Sequence, residues 1–254
     1  MKQLRLESVT RSFGGLRAAA EVNMEVTPGR VTGLIGPNGA GKSTVVNLIT
    51  GLLALNLGKV LLDEIDISKL EPHEIARLGI ARTFQNVRLL KEATVIENVV
   101  AGLYLEDDTS VLSKLLGMPV QRRQKQEFEA KSAEQLARFE MTQHTESLAG
   151  ELPYGHQRRV EIMRALVRRP SVLLLDEPCA GMNDAEAAVL GKLFRGLAAD
   201  GMAVLLIEHN MRLVLEICDY IYVLASGEVI AHGSPAEIRR DPKVIDAYLG
   251  ASHA

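Results

Sequence analysis

The stretch that decides the fold of this chain reads Gly36-Pro37-Asn38-Gly39-Ala40-Gly41-Lys42-Ser43-Thr44. It fits the spacing G-x-x-x-x-G-K-[ST] of a phosphate-binding loop. Such a loop is rich in glycine because its backbone N–H groups must curl inward around phosphate oxygens. The apolar run Val31–Ile35 precedes the loop, and the helical segment Thr44–Ile49 follows it. A strand, this loop and a helix in that order predict an α/β core that binds a nucleotide.

Each functional group of the loop has a physical reason to be there. Lys42 would bring a full positive charge to the β- and γ-phosphates, and the helix that begins near it adds its positive end. The Ser43 hydroxyl can ligate Mg²⁺, a hard ion that prefers oxygen ligands. The alternative is a glycine-rich turn with a chance lysine, and the motif alone indicates only a nucleotide-binding protein.

A pair of carboxylates ends a second apolar run. Val172–Leu175 is followed directly by Asp176 and Glu177. Asp176 is expected at the carboxyl end of a strand, beside the phosphate-binding loop, where it would hold Mg²⁺ directly or through water. Glu177 would point to the other side of the pleat and orient the attacking water. The alternative is a surface strand end with two incidental acids.

Two further polar residues are candidates for the site. Gln85 lies just before the predicted helical region, and His209 ends the apolar run Ala203–Ile207. A histidine at a strand end could hydrogen-bond a γ-phosphate. Taken alone, a residue of either kind is more often a structural or solvent-facing group. We assign no catalytic role to the other histidines, which are His73, His144, His156, His232 and His253.

The composition excludes several classes of protein. The 254 residues are 47% hydrophobic, enough for a sizeable core, and a net charge of −3 gives no basic footprint for nucleic acid. Cys179 and Cys218 have neither disulfide nor zinc spacing, which favours a reducing compartment. The N-terminus lacks the apolar core of a signal peptide, and no segment approaches a membrane span. Any role at a membrane would therefore depend on a partner.

The pattern along the chain predicts a parallel sheet with an inserted helical part. Continuous apolar runs are typical of strands that are buried on both faces. Residues 88–168 are helical in pattern, and Glu127–Phe139 contains mainly good helix formers. Ser226-Gly227 predicts a hairpin turn, and Ser234–Glu237 a capping box. The predicted strands are Leu4–Val9, Val22–Val26, Val31–Ile35, Val60–Leu62, Val172–Leu175, Ala203–Ile207, Tyr220–Leu224 and Glu228–Ala231.

These motifs, in this order and with Leu152–Arg159 between them, resemble the ATP-binding-cassette ATPases over essentially the whole chain. The resemblance implies an α/β fold. It consists of a P-loop NTPase core with an antiparallel β subdomain (residues 1–87 and 169–254) and an inserted helical lobe (residues 88–168). It also implies ATP and Mg²⁺ as cofactors.

The same resemblance implies roles for single residues. Phe13 is similar to the aromatic residue that stacks on adenine, and Gln85 to the hinge glutamine that touches Mg²⁺ and senses the transmembrane partner. Glu177 corresponds to the catalytic base and His209 to the switch histidine. Ala180–Asn183 is similar to the loop that crosses the dimer interface, although asparagine replaces its usual aspartate.

The segment Leu152–Gln157 corresponds to the signature motif, which usually reads Leu-Ser-Gly-Gly-Gln. Pro153 stands in place of the serine and Tyr154 in place of the first glycine. A proline cannot give a hydroxyl to the γ-phosphate of the opposite subunit's ATP. Gly155 and the start of the following helix remain, and a helix N-terminus attracts phosphate. Tyr154 and Gly155 are therefore expected to contact ATP through backbone groups.

The departures from the general pattern are similar to the branch that serves branched-chain amino acid uptake. Besides the altered signature, they are Ala180–Asn183, the Glu-His-Asn-Met stretch at His209, the ending Val244–Gly250, and an extra helical stretch around Leu105–Gln135. The last two resemble the larger ATPase of that branch. Urea, short amides or another small solute are alternative substrates within it.

The resemblance also implies partners and a location. The chain would pair head to tail with an identical or a related ATPase subunit, and it would bind transmembrane permease subunits. A periplasmic or extracellular solute-binding protein would act on it indirectly, and the chain would lie on the cytoplasmic side of the cell membrane. The alternatives are a soluble ATPase of the same family acting on DNA or ribosomes, and a nucleotide-sensing regulator without turnover.

Overall fold

The computed structural model describes residues 1–83, 87–103 and 119–250. Two compact units make up the chain: Met1–Arg82 with Ser171–Ala254, and Thr83–Pro170. Gln85 lies outside the described residues, as does most of the N-terminal half of the predicted extra helical stretch.

The first unit contains two β-sheets, and its helices lie between strands in the sequence or follow the last strand. Its strands are β1 (Leu4–Phe13), β2 (Leu16–Val26), β3 (Val31–Ile35), β4 (Leu57–Leu62), β5 (Ile65–Asp66), β6 (Ile80–Arg82), β7 (Val172–Asp176), β8 (Ala203–Ile207), β9 (Tyr220–Ala225) and β10 (Glu228–Gly233). The helices of the described residues are α1 (Lys42–Ile49), α2 (Pro72–Arg77), α3 (Val95–Ala101), α4 (Pro119–Arg138), α5 (Tyr154–Leu166), α6 (Asp184–Ala199), α7 (Met211–Ile217), α8 (Pro235–Ile238) and α9 (Pro242–Gly250).

The six-stranded sheet has the order β10-β9-β3-β8-β7-β6, and all its pairs except β10–β9 are parallel. Every residue of β3, β7 and β8 is buried, which confirms the prediction made from their continuous apolar runs. Ser226 and Gly227 have φ values of 50° and 84° and form the predicted hairpin turn between β9 and β10.

The four-stranded sheet is antiparallel, with the order β2-β1-β4-β5. The predicted strands Leu4–Val9 and Val22–Val26 lie within longer ones, because β1 and β2 pair as far as Phe13 and Leu16. Backbone pairing carries this ribbon beyond the apolar residues that mark it in the sequence. The three-residue β6 was not predicted, since so short a run shows no periodicity. Its position is set by parallel pairing with β7.

The register of the central strands brings the functional loops to one edge of the sheet. Leu34 of β3 pairs with Ile207 of β8, and Ile207 pairs in turn with Asp176 of β7. The three strands are parallel, so their carboxyl ends coincide. The loops that follow them therefore begin side by side, which is where open α/β sheets bind their ligands.

The second unit is helical in its described part, as the sequence predicts. The helix that the sequence predicts at the signature segment is α5, which begins at Tyr154 with Pro153 as its N-cap residue. Glu127–Phe139 overlaps α4. In the first unit, Ser234 and Glu237 form the predicted capping box of α8. Among the described residues, no helix combines the length and the apolar character that crossing a membrane requires.

Candidate active site

Two glycines of the phosphate-binding loop, Gly36 and Gly41, occupy positions that no other residue could take without a shift of the backbone. Gly36 and Gly41 have φ values of 151° and 102°. A Cβ atom on Gly36 would lie 2.0 Å from the Leu224 carbonyl oxygen, and one on Gly41 would lie 2.2 Å from that of Ala18. The loop between β3 and α1 thus packs directly against neighbouring backbone, and this packing fixes its curvature without a ligand.

Lys42 begins α1 and folds back over this loop. Its Nζ atom donates to the carbonyl oxygens of Gly36 at 2.7 Å and Pro37 at 3.0 Å. Burial lowers the pKa of the Lys42 ammonium, while the nearby charges of Glu177 and Asp176 raise it. The two carboxylates therefore favour the charged form of the lysine at the place where phosphates would bind.

Asp176 ends β7 and is held by a residue whose role the sequence did not suggest. The Arg82 guanidinium donates through Nη2 to Asp176 Oδ2 at 2.9 Å and through Nη1 to Asn47 Oδ1 at 2.5 Å. It thereby ties the helix of the phosphate-binding loop to the acidic strand end. A charged residue at the end of an otherwise apolar short run was the available signal, but β6 was too short to be identified as a strand.

Glu177 follows Asp176 in an unusual backbone conformation. Its φ is 46°, in the left-handed region that a non-glycine residue enters at a cost of roughly 1–3 kcal/mol. The Glu177 N–H donates to the Ile207 carbonyl oxygen at 2.9 Å, which ties the turn to the end of β8. Such strain at a carboxylate beside a phosphate-binding loop is typical of functional sites.

His209 lies close to Glu177, at the end of the neighbouring strand. Its Nδ1 atom is 3.9 Å from Glu177 Oε1 and 4.0 Å from Glu208 Oε2, and 61% of its side chain is exposed. The structure thus brings together Asp176, Glu177 and His209, which the sequence places 33 residues apart at the extremes. Glu177 and His209, the two candidates for the hydrolytic step, therefore lie at the sheet edge where the β3–α1 loop begins.

Glu208 is a second residue that sequence reasoning left without a role. It is 1% exposed, and it accepts the Cys179 N–H at 3.0 Å and the His209 N–H at 3.3 Å. Burial raises the pKa of the Glu208 carboxyl, and the Cys179 N–H, the charge of His209 and the N–H groups of His209 and Asn210 oppose that shift. A glutamate directly after a wholly apolar strand was the signal for it.

The other predicted binding residues lie in two places. Phe13 ends β1 with 44% exposure, and the Arg11 guanidinium carbon lies 4.8 Å from its ring centroid. Tyr154 and Gly155 belong to the second unit and form the first turn of α5, with Tyr154 44% exposed. In this first turn, Pro153 as N-cap provides no side-chain hydrogen bond. The backbone N–H groups of a helix start are suited to bind phosphate.

The residues at the strand edge suit Mg²⁺. Ser43 is in the first turn of α1 and offers a hydroxyl, and Asp176 offers a carboxylate that is 5% exposed. Mg²⁺ is usually held by one or two such protein oxygens together with substrate phosphates. The donor set therefore fits Mg²⁺ bound with a nucleotide, with Gln85 as the further expected ligand.

Two family models match the chain. The model described as "ABC transporter" matches residues 19–180, and the model described as "Branched-chain amino acid ATP-binding cassette transporter" matches residues 228–254. The first match includes the phosphate-binding loop, the altered signature segment and both strand-end carboxylates. The second covers β10, α8 and α9.

Two curated proteins are similar to this chain along nearly their whole length. The high-affinity branched-chain amino acid transport ATP-binding protein BraF of Pseudomonas aeruginosa is 44% identical over 248 residues. LivG of Escherichia coli (strain K12), which bears the same description, is 43% identical over 248 residues. Each match covers 97% of this chain and 97% of the relative.

Solved structures agree with this likeness. An ATP-binding cassette of an ABC transporter in its ADP conformation has a TM-score of 0.86 at 36% identity and covers 98% of this chain and 99% of its own. A dimeric cassette in a post-hydrolysis state, bound to ADP and Pi, has a TM-score of 0.76 at 25% identity and covers 91% and 98%. With a matching family model over most of its length and relatives above 40% identity, the chain belongs to the ATPase subunits of the ABC transporter family.

Proposed function

We propose that this chain hydrolyses Mg²⁺-ATP to drive the uptake of branched-chain amino acids through transmembrane permease subunits. The observation that carries the proposal is the alignment of three parallel strand ends. It sets the Gly36–Thr44 loop, the Asp176–Glu177 pair and His209 along one edge of the sheet. Phosphoryl transfer depends mainly on positioning and charge, and these are the groups it requires.

The residues divide the work of hydrolysis. The loop amides and Lys42 bind the phosphates, while Ser43 and Asp176 would hold Mg²⁺, which would supply positive charge next to the phosphate oxygens. Glu177 orients the attacking water and accepts its proton, and His209 hydrogen-bonds the γ-phosphate. Phe13 stacks on the adenine ring.

A complete site requires two chains in this proposal. One chain supplies the Gly36–Thr44 loop, and its partner supplies the N-terminus of α5 at Tyr154–Gly155. ATP closes the pair because its γ-phosphate bonds to both chains, and hydrolysis removes that bridge. The similar cassette that was solved as a dimer with bound ADP and Pi supports this arrangement. Gln85 would pass the motion to the permease.

The substrate is proposed from the relatives, since this subunit does not contact it. BraF and LivG both carry branched-chain amino acid transport in their names, and the second family model carries it too. The permease partners and the position on the cytoplasmic side of the membrane follow from the same likeness. The natural ATPase partner is an identical chain or a related one.

Uptake by cells that lack this chain tests the proposal. Restoring the wild-type chain with its own permease subunits should restore the uptake of labelled leucine, isoleucine and valine. Glu177→Gln should reduce that uptake at least about tenfold, because no group remains to accept the proton from water. Glu228→Gln, the same change at an exposed residue of β10, is the matched control and should behave as wild type.

Two outcomes would overturn parts of the proposal. Full uptake with Glu177→Gln would show that Glu177 is not the base. Restored uptake of urea or a short amide, with no effect on branched-chain amino acids, would keep the ATPase role and replace the substrate.

A further inference from the structure

The Glu208 carboxylate joins two segments of the active site. It lies directly after β8 and is 1% exposed. Its Oε1 accepts the Cys179 N–H at 3.0 Å, on the segment that follows Glu177. Its Oε2 accepts the His209 N–H at 3.3 Å, on the segment that carries the histidine. One rigid carboxylate plane therefore spans the catalytic turn and the histidine loop.

The fold maintains this arrangement at a cost. Removing a carboxylate from water is unfavourable, and burial accordingly raises the pKa of Glu208. Hydrogen bonds from backbone N–H groups and the charge of the His209 ring, whose Nδ1 lies 4.0 Å from Glu208 Oε2, offset part of this cost. An apolar residue would extend the buried run of β8 at no such cost. The positions of the N–H donors indicate what the Glu208 carboxylate does for the site.

Those donors lie on either side of a strained residue. Glu177 has a φ of 46°, and a conformation of this kind persists only where its surroundings hold it. Before the turn, the Glu177 N–H is bonded to the Ile207 carbonyl oxygen at 2.9 Å. After the turn, the Cys179 N–H is bonded to Glu208. Both restraints originate from consecutive residues at the end of β8.

We propose that Glu208 is a positioning residue that fixes the strained Glu177 turn and sets its spacing from His209. This inference rests on the proposed function, in which Glu177 activates water and His209 contacts the γ-phosphate. Glu208 itself touches neither water nor nucleotide in this account. It acts through the two segments that it ties together, and the 3.9 Å distance between His209 Nδ1 and Glu177 Oε1 is the spacing it maintains.

The test is Glu208→Gln, which keeps the size of the side chain. The glutamine amide retains one acceptor oxygen, but its NH₂ group must face one of the backbone N–H donors, so one of the two ties is lost. We expect kcat for ATP hydrolysis to fall about 10- to 100-fold, because small misplacements of catalytic groups have effects of this size. The KM for ATP should stay within about twofold of wild type, since the phosphate-binding loop does not use Glu208.

Asp219→Asn is the matched control. Asp219 Oδ2 accepts the Val31 N–H at 2.8 Å, so it makes the same type of bond at the opposite, amino-terminal edge of the sheet. This control should lower the melting temperature without changing kcat. If Glu208→Gln lost kcat only in proportion to such a loss of stability, or lost kcat and ATP affinity together, its role would be structural and the inference wrong. An unchanged kcat would overturn it equally.

Two further variants keep the outcome unambiguous. Glu208→Asp retains the charge with a shorter reach. If Glu208→Gln does not fold, this variant should show an intermediate kcat at unchanged KM, and a wild-type kcat would refute the inference. Glu177→Gln is measured in parallel. Normal turnover by Glu177→Gln would overturn the role of Glu177 as the base. Loss of turnover in Glu177→Gln together with a wild-type kcat in Glu208→Gln would overturn only the positioning role of Glu208.

Discussion

Single residues in this protein carry strain and charge that the surrounding fold compensates. Glu177 adopts a left-handed conformation, and Glu208 is a buried carboxylate. Neither feature favours stability, and both lie at the edge where the nucleotide is proposed to bind. Residues that break local rules in this way are expected at functional sites, where geometry matters more than stability. At Glu208, the stability that is given up for this geometry can be measured.

The stability of the fold should depend on pH through Glu208. A carboxyl whose pKa is raised on folding holds its proton more tightly in the folded state. Glu208 does not reduce the stability of the fold at a pH below its pKa in the unfolded chain. The reduction is complete at a pH above its pKa in the folded protein. As the pH rises above the ordinary range of a glutamate carboxyl, the melting temperature of Glu208→Gln should therefore rise relative to that of wild type. Thermal unfolding of both proteins at several pH values measures this difference. A difference that does not vary with pH would contradict the prediction.

At the scale of elements, helix starts determine how the loops around the site are directed. Asn183 is the N-cap of α6: its side chain accepts the Glu186 N–H at 3.0 Å, and the Glu186 carboxylate accepts the Asn183 N–H at 3.1 Å. The sequence indicated only that asparagine replaces the usual aspartate of an interface loop. The structure shows a capping box at this position, which an asparagine serves as well as an aspartate.

Two substitutions of Asn183 should separate capping from charge. Asn183→Ala removes the cap and should lower the free energy of unfolding by about 1 kcal/mol. Asn183→Asp keeps the cap and places a negative charge at a helix N-terminus, so its stability should equal or slightly exceed that of wild type. Denaturant unfolding measures both values. Equal destabilisation by the two variants would show that the capping geometry does not explain this residue.

At the scale of the whole molecule, the proposed mechanism leaves one chain with an incomplete site. The phosphate-binding loop lies in the first unit, and the altered signature begins α5 in the second. A head-to-tail pair would place one of each around every ATP. Because Pro153 stands where the signature serine is expected, the proposed mechanism assigns phosphate binding across the pair to the backbone N–H groups at the start of α5.

Size in solution provides the corresponding measurement. With Mg²⁺-ATP, Glu177→Gln should form a dimer, because ATP that is not hydrolysed keeps bridging the two chains. Removing the nucleotide should return it to monomers, and Glu228→Gln should show no such stable dimer. A Glu177→Gln chain that binds ATP but remains monomeric would refute pairing of identical chains. The natural partner would then be a related ATPase subunit.

The sequence by itself determined the main architecture of this protein. Its continuous apolar runs predicted the buried parallel strands, and its glycine-rich loop between Ile35 and Thr44 predicted a nucleotide-binding core. These features are local: period, composition and a short motif are enough to identify them. The positions of the Ser226–Gly227 hairpin and the Ser234 capping box followed from local turn and cap chemistry as well.

Tertiary structure decided which residues meet. Arg82 binds Asp176 and Asn47, and Glu208 binds Cys179, across separations in the sequence that no local pattern encodes. The left-handed conformation of Glu177 was likewise not predicted, and the bond of its N–H to the Ile207 carbonyl oxygen joins residues that are far apart in the sequence. Sequence patterns report the preferences of neighbouring residues, whereas these contacts depend on the register of parallel strands that are joined by long connections.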